Sequence, residues 1–80
     1  MNPPPSSPVR KAKRATSFEP QIAETFGSIV RAERVAKGIA QDEFALHANI
    51  DRSYFGKLER GERQPSLALL WRIATGLDLA

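Results

Sequence analysis

Residues 41–61 read QDEFALHANIDRSYFGKLERG. At helical spacing this is two short helices, about 41–48 and 52–60, joined by Ala48-Asn49-Ile50-Asp51. Phe44 and Ala45 face inward from the first helix, Phe55 and Leu58 from the second. Arg52, Ser53, Lys57 and Arg60 are left for another face. Asn49 is the expected left-handed residue of the turn, because Asn tolerates positive φ better than other non-glycine residues. Ile50 plugs the space between the helices, Asp51 caps the second one, and Gly61 closes it. Two helices across such a turn, the second polar and basic, form a device that sets a helix in a DNA major groove.

Upstream, the spacing predicts a helix over about 20–37. Ser17 or Glu19 can cap it, and Pro20 is tolerated in a first turn. Ile22, Phe26 and Val30 repeat every four residues as an apolar stripe, with Ile29 beside it. Gly38 stops the helix, and Lys37 sits at its negative end. The next helix starts after Ala40, which has no side-chain acceptor. Glu43 occupies the capping-box position, but replacing a good cap by Ala costs about 1 kcal/mol. No compensating group is evident. Downstream, GERQPS (61–66) is a loop, and Ser66 caps a helix over about 67–75 that ends at Gly76. Its expected inner stripe is Leu67, Leu70, Ile73 and Ala74, with Leu77 and Leu79 folding back over the core.

Residues 1–17, MNPPPSSPVRKAKRATS, hold four prolines and several serines before a basic run. Too little apolar surface is present to fold, so a disordered arm is expected ahead of one domain over 18–80. The run Arg10, Lys11, Lys13, Arg14 reads as a solubilising tail, as an arm on DNA, or as a nuclear-localisation signal. The formal charge is +3, and all of it lies in residues 1–20, since residues 21–80 hold eight basic and eight acidic residues. The body must therefore bind through the placement of its charges.

Eighty residues make one small domain with a modest core. There is no cysteine, and His47 is a lone histidine, so a metal site is not expected. No apolar run reaches the roughly 20 residues of a membrane span, and no secretory signal follows the basic residues. No nucleophile–base pair or phosphate-cradling glycine loop points to catalysis, and no cofactor is implied.

Phe26 to Leu79 resembles the phage repressor and Cro-like (XRE-type) helix-turn-helix domains. The resemblance is carried by Arg31-x-x-Arg34 and by Gly38-Ile39-x-Gln41-x-Glu43-Phe44-Ala45. It continues through Ser53-Tyr54-x-x-x-Leu58-Glu59-Arg60-Gly61, Pro65-Ser66-Leu67 and Leu70-x-x-Ile73-Ala74. It implies an all-α, four-helix DNA-binding domain, usually a homodimer, acting as a transcriptional regulator. Arg52, Ser53 and Lys57 then match positions that reach base edges. Gln41 matches a phosphate contact at a helix start, and Arg63 with the amides around Ser66 matches a backbone-contacting loop. Arg34 and Glu59 match a structural ion pair. Ala40 stands where the family has Ser or Thr, and Asn49 where it has glycine. The family usually has a fifth helix after the position of Leu79, so the resemblance implies either a fragment missing that helix or another surface that does its work.

On this reading Arg52 can present two donors to guanine O6 and N7, and Lys57 reaches the same acceptors. Tyr54 packs at the groove edge with its hydroxyl near a phosphate, and Arg60 and Arg63 add sequence-blind affinity. His47 is a surface residue or a backbone contact. Trp71 is a peripheral core residue or a dimer or partner contact. The expected protein is a repressor or operon controller, bacterial or phage-encoded and cytoplasmic, on the nucleoid, with no membrane or small-molecule partner. The alternative is a protein-interaction module, such as the antitoxin of a toxin pair or a coactivator bridge.

Overall fold

A computed structural model describes residues 17–78. The basic run Arg10, Lys11, Lys13 and Arg14, the rest of the expected arm before Ser17, and Leu79 lie outside those residues. The chain forms four helices: α1 (Pro20–Ala36), α2 (Gln41–Ala48), α3 (Arg52–Glu59) and α4 (Leu67–Gly76). No strand occurs among the described residues. α1 packs on α3, α3 on α2, and α2 on α4. Phe44, Phe55, Leu58, Ile73 and Leu77 are fully buried where they meet.

Three helices end on one device. The αL residue is Gly38 (φ 70°) after α1, Asn49 (φ 59°) after α2 and Gly61 (φ 77°) after α3. The N–H of the residue after each turns back to the helix: Ile39 to Arg34 O, Ile50 to Ala45 O, Glu62 to Lys57 O. These bonds satisfy carbonyls that helix ends otherwise leave open. At the helix starts, Asp51 accepts from the Tyr54 N–H and Ser66 from the Leu69 N–H, both at 3.1 Å. Two side chains supply the start of α2 that Ala40 cannot. Asp42 Oδ1 accepts the Glu43 N–H at 2.9 Å, and Glu43 Oε1 accepts the Ala40 N–H at 3.3 Å. Both acids also lie at the positive end of α2. The expectation of an uncompensated cap is thereby corrected.

Two apolar stripes are also corrected. In α1 the buried face is Ala23, Gly27, Val30 and Arg34, while Ile22 and Ile29 are more than half exposed. The cause is Gly27. A Cβ there would lie 2.4 Å from Leu58 O and 2.6 Å from Glu59 O, so α1 rests directly on the backbone of α3. In α4 the inner face is Leu69, Ile73 and Leu77, and Leu67 and Leu70 point outward. Gly76 abuts the Phe44 ring, where a Cβ would come within 3.0 Å.

Gly27→Ala tests the α1–α3 approach. Alanine gains about 1 kcal/mol of helix propensity. Overpacking typically costs about 1–3 kcal/mol, and backbone carbonyls cannot turn aside as a side chain does. An approach of 2.4 Å to a backbone oxygen puts the cost at the upper end, so the expected net loss is up to about 2 kcal/mol, read as a lower urea midpoint. A stabilised variant would remove the close approach from the account.

Candidate nucleic-acid interface

α3 is held by what it buries. Phe55 and Leu58 enter the core, and Phe55 stacks at a tilt on Phe44 with centroids 5.2 Å apart. Glu59 is buried too, and receives Arg34 as a two-pronged pair, Nε to Oε2 at 2.6 Å and Nη2 to Oε1 at 2.9 Å. Arg34 Nη1 donates to Ile39 O at 2.7 Å. The carboxylate pushes the Arg34 guanidinium further up, keeping it charged. Gln41 Nε2 donates to Glu59 Oε1 at 2.9 Å, so three helices meet on one carboxylate. Sequence reading leaves Gln41 as a phosphate contact or a plain exposed helix start, and its reach to Glu59 is not visible there.

The opposite side of α3 lines an open groove with α2. Gln41, Asp42, Arg52, Ser53, Gly56, Lys57 and Arg60 form its walls. Arg52 is well exposed, with Nη1 at 3.9 Å from Asp42 Oδ2. Lys57 is half-buried, and among the described residues it forms no ion pair. The Ser53 hydroxyl donates to Asp51 Oδ2 at 3.0 Å, which leaves Ser53 an acceptor toward anything in the groove. Tyr54 is half-buried against the core cluster. Arg60 bonds Glu62 through Nε at 2.8 Å, and this pair holds the Glu62 carboxyl below its usual range. Arg63 is exposed, with Nη1 on Glu62 O at 3.0 Å, and Ser66 is committed to capping α4.

The Asp51 carboxyl is held below its usual range, first by the Tyr54 N–H and then by the Ser53 hydroxyl. A carboxyl lowered in the folded state stabilises above its unfolded pKa, and that contribution is lost as pH falls through the folded value. In Asp51→Asn, which keeps a cap acceptor, the melting temperature should fall less steeply as pH drops below the ordinary carboxylate range. Superimposable acid profiles for the two proteins would remove Asp51 from that role.

Trp71 is 65% exposed, which excludes the core alternative for it. It borders a shallow pocket with His47, Ala48 and Thr75. His47 is itself exposed, with its ring tilted 6.3 Å from Phe44. Arg72, not anticipated from the sequence, donates to Asn49 O at 3.2 Å and ties α4 to the turn between α2 and α3. No helix among the described residues is long and apolar enough to cross a membrane. No His, Asp and Glu cluster among them suits a metal ion.

The chain is 40% identical over 58 residues to the uncharacterized HTH-type transcriptional regulator YazB of Bacillus subtilis, covering 72% of this chain and 84% of that protein. It is 33% identical over 58 residues to the transcriptional regulator ClgR of Mycobacterium tuberculosis, covering 72% of this chain and about half, 52%, of that protein. Its fold is similar to the crystal structure of the restriction-modification controller protein C.AhdI from Aeromonas hydrophila. The TM-score is 0.70 at 41% identity, covering 72% of this chain and 88% of that one. A family model described as helix-turn-helix matches residues 30–80, most of the four-helix body. By that match, and by the α2–turn–α3 unit it spans, the chain belongs to the helix-turn-helix family.

Proposed function

We propose that the protein is a sequence-specific, duplex-DNA-binding transcriptional regulator that reads the major groove with α3. The observation that carries this is the division of α3. Phe55, Leu58 and Glu59 anchor it, while Arg52, Ser53 and Lys57 face an open groove beside α2. Arg52 and Lys57 are the base readers, with Ser53 limited to accepting a bond, as from adenine N6 or cytosine N4. Phosphates fall to Tyr54, Arg60, Arg63 and the amides at Ser66. Gln41 serves through the backbone N–H groups at the start of α2 and the second N–H of its side-chain amide, the first being held by Glu59. The basic residues Arg10, Lys11, Lys13 and Arg14 add counterion-releasing contacts. The names of YazB, ClgR and C.AhdI support a regulator or operon controller, with repression by occlusion the simplest action.

A homodimer would place two α3 helices about 34 Å apart on a two-fold site. Trp71, with exposed Leu67 and Leu70, is the proposed dimer or partner surface. The protein works in the cytoplasm on the nucleoid, without cofactor, metal or catalysis. Selection of duplexes from a random library, with sizing of the complex, tests this reading. It should return a guanine-containing motif in two copies on one dimer. A library that comes back random would overturn it.

That exposed Trp71 also favours a second reading, a protein-interaction module. Trp71→Ala would then abolish partner capture while leaving any DNA affinity unchanged.

A further inference from the structure

Asp42 is the one acid among the residues that line the groove between α2 and α3, where it faces Arg52, Lys57 and Arg60. A carboxylate on a surface that meets phosphates weakens binding to every duplex alike. Its Oδ1 accepts the Glu43 N–H at 2.9 Å, and its Oδ2 lies 3.9 Å from Arg52 Nη1. The start of α2 needs only the first contact, which asparagine or serine would supply without a charge. The second contact uses the charge itself.

The two ends of this pair are not equally free. Asp42 is pinned at its own helix start, and α2 is set against α3 by Phe44 and Phe55. Its carboxylate is therefore a fixed point beside Arg52, the first residue of α3. Arg52 is a long, exposed side chain with several rotatable bonds. At 3.9 Å the pair is a charge contact, short of a hydrogen bond, and in water it contributes little to stability. Its direction matters more. Nη1 is turned to Asp42, which leaves the edge formed by Nε and Nη2 for a ligand. With that same edge Arg34 takes Glu59 in two bonds, and guanine O6 and N7 accept a guanidinium in the same forked way. Inside a major groove less water surrounds the pair, so the attraction grows.

We infer that Asp42 is a positioning residue for base recognition, holding the Arg52 guanidinium at Nη1 so that its Nε–Nη2 edge meets guanine. This rests on the reading of DNA by α3 proposed above. The acid favours specificity over affinity, because on a wrong site Arg52 can turn to a phosphate only by leaving the Asp42 charge uncompensated. Asp42→Asn keeps an acceptor for the Glu43 N–H and removes the charge. The full chain is titrated against the selected duplex, its single-base-pair variants and a scrambled duplex. The proteins compared are the parent, Asp42→Asn, Arg52→Ala and the double variant.

Arg52→Ala should lose about 5- to 150-fold of discrimination at one guanine, the range of a bidentate pair. Asp42→Asn should lose about 3- to 10-fold at that same base pair and nothing at the others, within the coupling range of side chains in contact. Its affinity for the scrambled duplex should rise about two- to five-fold at low salt, as a charge facing phosphates is removed. Without Arg52, the change at Asp42 should alter discrimination at no base pair. A uniform gain on all duplexes would leave Asp42 as an acid of the helix start and overturn the proposal. A loss of discrimination that persists without Arg52 would overturn it too, by making Asp42 a base contact itself. If Arg52→Ala keeps the parent's discrimination, the assignment of Arg52 as a base reader fails, and the proposal with it.

Discussion

Glu59→Ala should lower stability by about 3–5 kcal/mol, as removing one partner of a buried ion pair does. A domain of this size holds on the order of 5 kcal/mol in total, so the variant should be largely unfolded near room temperature. The loss is large because three N–H donors, two from Arg34 and one from Gln41, depend on this carboxylate. Arg34 would keep a charge it cannot hydrate, with Ile39 O as its only remaining partner among the bonds it makes here. Gln41 Nε2 would also lose its acceptor. The counter-variant is Arg34→Met with Glu59→Leu. Apolar replacement of both partners of a buried pair is often neutral or stabilising. Here it should recover most but not all of the loss, because Ile39 O and Gln41 Nε2 are left to find water. Urea unfolding followed by circular dichroism reads both. A Glu59→Ala loss under about 1 kcal/mol would mean that the pair is solvated in practice.

How far such a site can be read in advance depends on whether a feature is local. The αL position of Asn49, the Asp51 and Ser66 caps and the two glycine stops follow from backbone preference over a few residues, and all were legible. The faces of α1 and α4 were not. Ile22 and Ile29 are the conspicuous apolar residues of α1, yet α1 turns its small residues inward, because only Gly27 lets it rest on the carbonyls of α3. A missing side chain carries no weight in an apolar count. In α4 the run LALLW is apolar all round, so periodicity cannot choose a face. The Phe44 ring against Gly76 chooses it. Within the candidate site, the residue types on α3 could be placed from spacing alone. The reach of Gln41 and Arg72 could not, because a long polar side chain shows its partner only after the helices have met.

Arg52→Ala with Lys57→Ala should lower affinity for the selected duplex by about 2–6 kcal/mol, taking about 1–3 kcal/mol for each well-placed base contact. The fold should be untouched. Arg52 is well exposed, and among the described residues Lys57 forms no ion pair. Circular dichroism and the urea midpoint should therefore match the parent. The two losses need not be equal. Arg52 neutralises Asp42, whose carboxylate lines the same groove, so removing Arg52 also turns an uncompensated charge toward the phosphates. Lys57 has no such neighbour in an ion pair, and its removal should act on the base contact alone. Ser53→Ala should cost least, since its hydroxyl proton is committed to Asp51. The same reasoning separates base readers from phosphate contacts. Arg60→Ala exposes Glu62 and should weaken all sequences alike, whereas removing Arg60 and Glu62 together should restore much of that affinity. Titration of specific and scrambled duplexes with each variant gives the ordering. If the Arg52 and Lys57 double variant keeps its preference for the specific duplex, another surface reads the bases and α3 is only a support.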